Sequence, residues 1–266
     1  MSTFSTCTST TRPGSPTDGD VLFETDTKNV IIWDGTNWRG YANDGLSVTL
    51  GASTHSLSLD GTDDRMECGD VSGLSGITEF SVSAWFRTNT SATMYILSSV
   101  GTGGDFYDGF NLYLSSGNPN FVVGNGGSVY DGAKNTSANL IDDSWHHVVG
   151  IMNGSTYTVY VDGSSIGSAN VGNGTVSTTP STNGGDFKIG ARYDDNNTFA
   201  FNGYLDDVAV FNRALTSTDV SNIYNSETYL SATNLWKMDN STDDLIGSNN
   251  GTLISNAQFV SSTKRP

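Results

Sequence analysis

The residues able to do chemistry in this chain are mostly carboxylates, and some stand as adjacent pairs, such as Asp63-Asp64, Asp142-Asp143, Asp194-Asp195 and Asp206-Asp207. Retaining hydrolysis of a glycosidic bond needs two carboxyl groups facing each other about 5 Å apart. Successive residues on a strand point to opposite faces, so none of these pairs is a ready-made dyad. The glutamates are Glu24, Glu67, Glu79 and Glu227, and no two share the Glu-x-Asp-x-x-Glu spacing of such a site. His146 and His147 follow Trp145 in a strand-like run, so one faces inward and one outward, and no Ser or Cys nucleophile context accompanies them. No Gly-rich phosphate loop opens a helix, and Cys and His show no zinc-type spacing. These residues describe a binding or structural protein rather than an enzyme.

Sugars offer flat C–H faces for stacking and hydroxyls for hydrogen bonds, so a glycan site needs aromatic rings beside amides or carboxylates. Three loop segments meet that description: Asp105, Tyr107 and Asp108; Tyr130 and Asp131; and Arg192, Tyr193, Asp194 and Asn196. Any acidic all-β protein carries such loops, and a surface turn is the other reading of each.

The elements that must position these residues are strands. Short Val/Ile/Tyr/Phe runs alternate with Ser, Thr and Asn, and the chain holds 31 Gly against 5 Pro, which is the composition of many strands joined by tight turns. Its 266 residues fit one large all-β domain with an appendage. The formal charge of -16 comes from acids scattered along the chain. Without a basic patch, nucleic acid and anionic membrane are excluded as partners, while divalent cations remain compatible. Cys7 and Cys68 make no disulfide framework and are expected as free thiols. The N-terminus lacks the basic start and apolar run of a signal peptide, and no stretch approaches the ~18 apolar residues of a span. The expectation is a protein made in a cytoplasm, with no membrane insertion.

Along the chain, residues 1–45 read as a Pro-punctuated arm followed by a small β-hairpin module, Val21 to Trp38, too small to fold alone. Residues 46–266 read as a β-sandwich. In it, Phe80, Val82, Ala84 and Phe86 share one strand face, and Asp162-Gly163 supplies a hairpin turn. Thr216 or Ser217 caps one short helix that turns Val220, Ile223 and Tyr224 toward the sheet.

Two resemblances sharpen this reading. The ordered words SLSLDGTDDRMECGD, FSVSAWFRT, SWHHVVGIMNGSTYTVYVDG, FKIGARYDD and FNGYLDDVAVFNRALTSTDVSNIYN, from about Ser56 to Tyr224, resemble the laminin-G-like, concanavalin A-like jelly rolls. That implies an all-β antiparallel sandwich that hosts glycan binders, protein binders and spacers alike. The segment LWKMDNSTDDLIGSNNGTL resembles the family's opening strand, so 233–260 is expected to return as a closing strand. The same resemblance implies a structural Ca2+ with Asp206, Gly61 and Asp239 converging on it; the other reading is that Asp206 and Asp60 hold turn amides. The N-terminal words RPGSPTDGDVLFETDT and WDGTNW resemble a module of tailed-bacteriophage virion proteins. They imply a fibre, spike or decoration protein on the virion surface. Its arm would mount on other virion proteins, its assembly would be a homo-oligomer, a trimer by analogy with fibres, and its sandwich would bind host-surface glycan or serve as pure decoration.

Overall fold

The computed structural model describes residues 5–7, 10, 11, 13–16, 21–24, 29–33, 38–41, 53–71, 73–100, 109–124, 129–166, 169, 170, 172–176, 187–192, 197–229 and 231–262. The chain divides into two compact units, Met1–Val48 with Tyr229–Ser231, and Thr49–Thr228 with Ala232–Pro266.

In the first unit β1 (Ser5–Cys7), β2 (Val21–Glu24), β3 (Asn29–Trp33) and β4 (Trp38–Tyr41) form one sheet in that order. β2 to β4 run antiparallel, with Trp33 opposite Trp38. Residues 5–7 of the arm, expected as extended chain only, pair parallel with β2. A hairpin leaves an edge of open N–H and C=O groups, and an extended segment long enough to reach it satisfies them. The surroundings of the Trp33 and Trp38 side chains lie outside the described residues.

The second unit contains two facing antiparallel sheets. Its strands begin with β5 (His55–Asp60), β6 (Arg65–Glu67), β7 (Glu79–Arg87), β8 (Met94–Val100), β9 (Gly109–Ser115) and β10 (Asn118–Gly124). There follow β11 (Tyr130–Lys134), β12 (Trp145–Asn153), β13 (Thr156–Val161), β14 (Ser164–Ser165), β15 (Ala169–Asn170) and β16 (Phe187–Ile189). The last are β17 (Asn202–Phe211), β18 (Asn234–Trp236), β19 (Thr252–Ile254) and β20 (Gln258–Ser261). One sheet, here the groove sheet, has the order β15-β11-β10-β9-β8-β16-β6-β19. The other, the helix sheet, runs β14-β13-β12-β7-β17-β5-β20, with β18 beside β17.

The period-two alternation decides what lies between the sheets. Phe80, Val82, Ala84 and Phe86 of β7 all enter the core, as do Phe110, Leu112 and Leu114 of β9. Phe80 bridges the layers, 4.9 Å from the Phe110 ring and 5.6 Å from the Phe121 ring. Gly150 in β12 leaves the space that Phe121 fills, since a Cβ there would lie 2.4 Å from Phe121 Cδ2. Each ring so buried contributes roughly 1.5–3 kcal/mol relative to exposure. Cys68 is a free thiol in this core, its pKa pushed up by burial and by the nearby Asp244 and Glu67.

The other face of β7 is covered as well. Helix α1 (Ser217–Ser226) starts at Thr216, whose side chain accepts the Asp219 N–H while the Asp219 carboxylate accepts the Thr216 N–H. It buries Val220 and Ile223 and stacks Tyr224 on Trp85, ring centroids 5.5 Å apart. A 3-10 turn, Asn197–Phe199, is the other helical element among the described residues.

Residues 234–261 contribute to both sheets. β18 pairs with β17 at Val208 to Val210, β20 pairs with β5, and β19 pairs with β6 on the groove sheet. β17 carries β5 and β18 along one edge, the first beside Asn202 to Leu205 and the second beside Val208 to Val210. Between these stretches its pairing with β7 shifts register from Asp206 to Ala209, where Asp207 takes a positive φ of 41°. Trp236 is fully buried against Phe187, centroids 5.1 Å apart, and donates its Nε1–H to the Asn249 carbonyl at 2.7 Å. The loop after β18 winds around Asp244, whose carboxylate accepts the Leu235, Gly247 and Asn249 N–H groups at 2.9, 2.9 and 3.1 Å. Burial opposes its charge, but these donors prevail and hold its pKa below the usual carboxylate value.

Candidate functional site

An open groove of about 670 Å³ runs over the outer face of the groove sheet, lined by residues of β9, β10 and β11 and the turns beside them. Register places Lys134 of β11 beside Asn120 of β10, Asn120 beside Tyr113 of β9, and Tyr113 beside Tyr95 of β8, all pointing away from the core. Tyr95 and Tyr113 stack with centroids 5.0 Å apart and planes 15° from parallel. Tyr95 and Asn120 are buried, and Tyr113 and Lys134 are half-buried on either side of Asn120 in this row. Neighbouring strands lie about 4.8 Å apart, so that gap is about 10 Å across, the length of one to two sugar rings.

The polar groups of this gap are partly committed. Asn120 donates its amide to the Asn118 carbonyl at 2.9 Å, which leaves its Oδ1 as an acceptor. Asn118 accepts the Ala138 N–H at 3.0 Å, and Asn135 both donates to the Ile166 carbonyl and accepts the Ser137 N–H. Burial and the neighbouring Tyr130 raise the Tyr113 pKa, so its hydroxyl stays protonated and able to donate. No Asp or Glu is among the described lining residues. Two residues along β9, Asn111 points to the same face, is fully buried, and has no hydrogen-bond partner for either amide atom among the described residues. A buried amide without partners is uncommon in folded proteins.

Of the residues picked from sequence for sugar binding, Tyr130 lines this groove. Asp131 does not. One step along β11 reverses its direction, and it is buried, with Oδ1 accepting the Gly132 N–H and its charge felt by the inward-facing Tyr157. Arg192 lies over the Phe199 ring at 4.3 Å, and Phe199 meets Tyr95 edge-on at 5.9 Å, so it extends the aromatic row away from Lys134. Asp105, Tyr107, Asp108, Tyr193, Asp194 and Asn196 lie outside the described residues.

Asp206, Gly61 and Asp239 do not converge. Ser53, just before β5, donates toward Asp206 Oδ2 at 2.7 Å and Asp239 Oδ1 at 3.2 Å, so these two meet. Gly61 stands past the other end of β5, against Asn202. The six residues of β5, a rise of about 3.3 Å each, separate it from them. The donor set does not suit calcium either. Asp239 Oδ1 accepts the Thr54 and His55 N–H groups, its Oδ2 lies 3.3 Å from the Lys237 ammonium, and Asp206 Oδ1 accepts the Asp207 N–H. Gly61 instead neighbours Asp60, Asp63 and Asp64, whose carboxylate oxygens lie within 4.8 Å of one another. There Asp64 accepts the Asp60 and Asn256 N–H groups and Asp60 the Thr62 N–H, an arrangement that folds the turn.

Of the histidines, His147 is buried beside the stacked Trp85 and Tyr224 rings, its centroid 5.2 Å from the one and 6.1 Å from the other. His146 is held by Asp162 at 2.8 Å and Asp142 at 3.1 Å. Burial works against its charged form, but the two carboxylates outweigh burial and raise its pKa.

Tyr113, Asn120 and Lys134 stand on strand faces rather than in the loops where sequence composition points to sugar binding. The available signal was the outward set of β9, Asn111, Tyr113 and Ser115, interleaved with Phe110, Leu112 and Leu114.

A family model described as the concanavalin A-like lectin/glucanases superfamily, of laminin-G type, matches residues 60–221. No curated protein matches the chain. Among solved structures, a Bacteroides ovatus protein provisionally assigned to carbohydrate binding is similar at a TM-score of 0.58 and 15% identity, over 92% of this chain and 70% of its own. A heptameric SAP-like pentraxin from Limulus polyphemus is similar at 0.53 and 16%, over 81% of this chain and 98% of its own. At such identities the likeness is one of fold.

Proposed function

The chain belongs to the concanavalin A-like lectin/glucanases superfamily, and from that premise we propose that it is a non-enzymatic glycan-binding module whose site is the groove between Tyr113 and Lys134. The observation that carries the reading is the Tyr113 ring, stacked on Tyr95 and half-buried in the groove wall, in one register row with the Asn120 amide. A pyranose has the flat C–H face and the hydroxyls that this pairing accepts. The absence of carboxylates among the described lining residues favours binding over retaining hydrolysis. The provisional carbohydrate-binding assignment of the Bacteroides ovatus protein, a relative by fold, lends support. A glycan array probed with the full chain tests this: binding is expected, and Tyr113→Ala should abolish it with the β-type circular dichroism unchanged. Binding that survives Tyr113→Ala would move the site elsewhere.

The finer reading is a tailed-phage virion protein that displays the module for host attachment. Its support is the N-terminal wording RPGSPTDGDVLFETDT and WDGTNW, together with the small size of its sheet of four short strands. In this reading residues 1–45 mount the protein on the particle as a homo-oligomer, and residues 46–266 fold without them. A chain starting near Gly45 should stay folded and monomeric and fail to join particles. Failure to fold would put the arm in the sandwich core. Antibody labelling that finds the sandwich buried among virion subunits would favour pure decoration.

A further inference from the structure

Resting on the glycan reading of the groove, we infer that its ligand is an acidic glycan whose sugar carboxylate is received by Lys134.

The chain carries 28 acids against 12 Lys and Arg, and its described cations are mostly neutralised. Arg65 lies 2.8 Å from Glu67, Arg87 2.9 Å from Asp143, Arg213 2.8 Å from Asp219, and Lys237 3.3 Å from Asp239. Lys134, half-buried in the groove wall, has no carboxylate within ion-pair distance among the described residues. The groove thus holds an uncommitted ammonium and, among its described lining, no carboxylate to compete for it or to repel an anion. Nearby Asp131 is the exception that strand alternation removes: its carboxylate turns to the inner face, toward Gly132 N–H and Tyr157.

Geometry assigns the orientation. A sugar stacked on Tyr113 in the groove spans the Asn120 position and reaches β11 with its far edge, where Lys134 stands in the same register row. The Asn120 Oδ1 and the Tyr113 hydroxyl then serve neutral hydroxyls, and Lys134 is left for the anionic group. The overall charge of the protein opposes any anion, but charges beyond about 8 Å are largely screened at physiological salt, so the local ammonium decides.

Two sources share this chemistry, uronate polymers and sialylated chains. Calorimetric titration of the full chain with trigalacturonate and its carboxyl-reduced counterpart, and with sialyllactose and lactose, separates them. The acidic member of one pair should bind about tenfold more tightly than its neutral partner, a difference of about 1.4 kcal/mol. Lys134→Met should remove that preference by weakening the acidic member, and Lys134→Arg should retain it. Equal binding of acidic and neutral members overturns this inference and leaves the glycan site standing. A preference that persists in Lys134→Met overturns the role of Lys134. No binding of any of the four, at millimolar concentration, overturns both the inference and the groove.

Discussion

Tyr113 stands stacked against Tyr95 with ring centroids 5.0 Å apart, and Tyr95 is itself braced edge-on by Phe199 at 5.9 Å. The Tyr113 ring is therefore held in place by a second, buried aromatic. Tyr95→Leu should leave Tyr113 present but less fixed, lowering glycan affinity about threefold, because ordering a loosened side chain on binding costs about 0.5–1.5 kcal/mol. The checks are calorimetry for affinity and near-ultraviolet dichroism for the stacked pair.

Asn111 offers a measure of what the site costs the fold. Its amide is buried without partners among the described residues, and such a group costs about 1–3 kcal/mol. Asn111→Leu, with the same heavy-atom branching, should raise the melting temperature of the free protein, by roughly 2–4 °C per kcal/mol gained at this size. A lower melting temperature would mean that the amide is satisfied in solution by an ordered water.

His146 makes stability depend on pH in a stated direction. Its folded pKa is raised, so its stabilisation is fully present below the unfolded value of about 6.5 and is lost as pH rises through the higher folded value. Thermal melts of wild type and His146→Gln should differ most near about pH 5 and converge toward about pH 8. A gap that widens with pH would contradict the pairing with Asp142 and Asp162.

The closing segment is expected to be indispensable. Trp236 fills the core beside Phe187, and Trp236→Ala should cost about 3–5 kcal/mol by denaturant titration. Removing residues 233–266 should prevent folding, since β5, β6 and β17 would each lose a paired neighbour.

Chelation tests the donor sets directly. With Lys237 against Asp239 and backbone N–H groups on both Asp206 and Asp239, a chelator should leave the melting temperature unchanged. A fall of several degrees that Asp60→Asn abolishes would locate a cation at the turn of Asp60, Asp63 and Asp64.

Much of the fold could be read locally because its causes are local. Alternation put Phe80, Val82, Ala84 and Phe86 on one face, Asp162-Gly163 took the positive φ angles of a two-residue turn, and Thr216 capped the helix, each by the chemistry of a few adjacent residues. The site was less legible. Tyr130 and Asp131 are equivalent as loop letters, yet alternation sends one to the groove and the other inward, and only the strand limits of β11 fix which. Gly61, Asp206 and Asp239 belong to similar words but to opposite ends of β5. That separation follows from the pairing of β5 with β17, an alignment of residues some 145 positions apart. The alignment of Tyr95, Tyr113, Asn120 and Lys134 is likewise a cross-strand row, set by hydrogen-bond register between four strands. Register is decided by which faces the whole sandwich must bury, so sequence determined the residues available and tertiary pairing decided which of them meet.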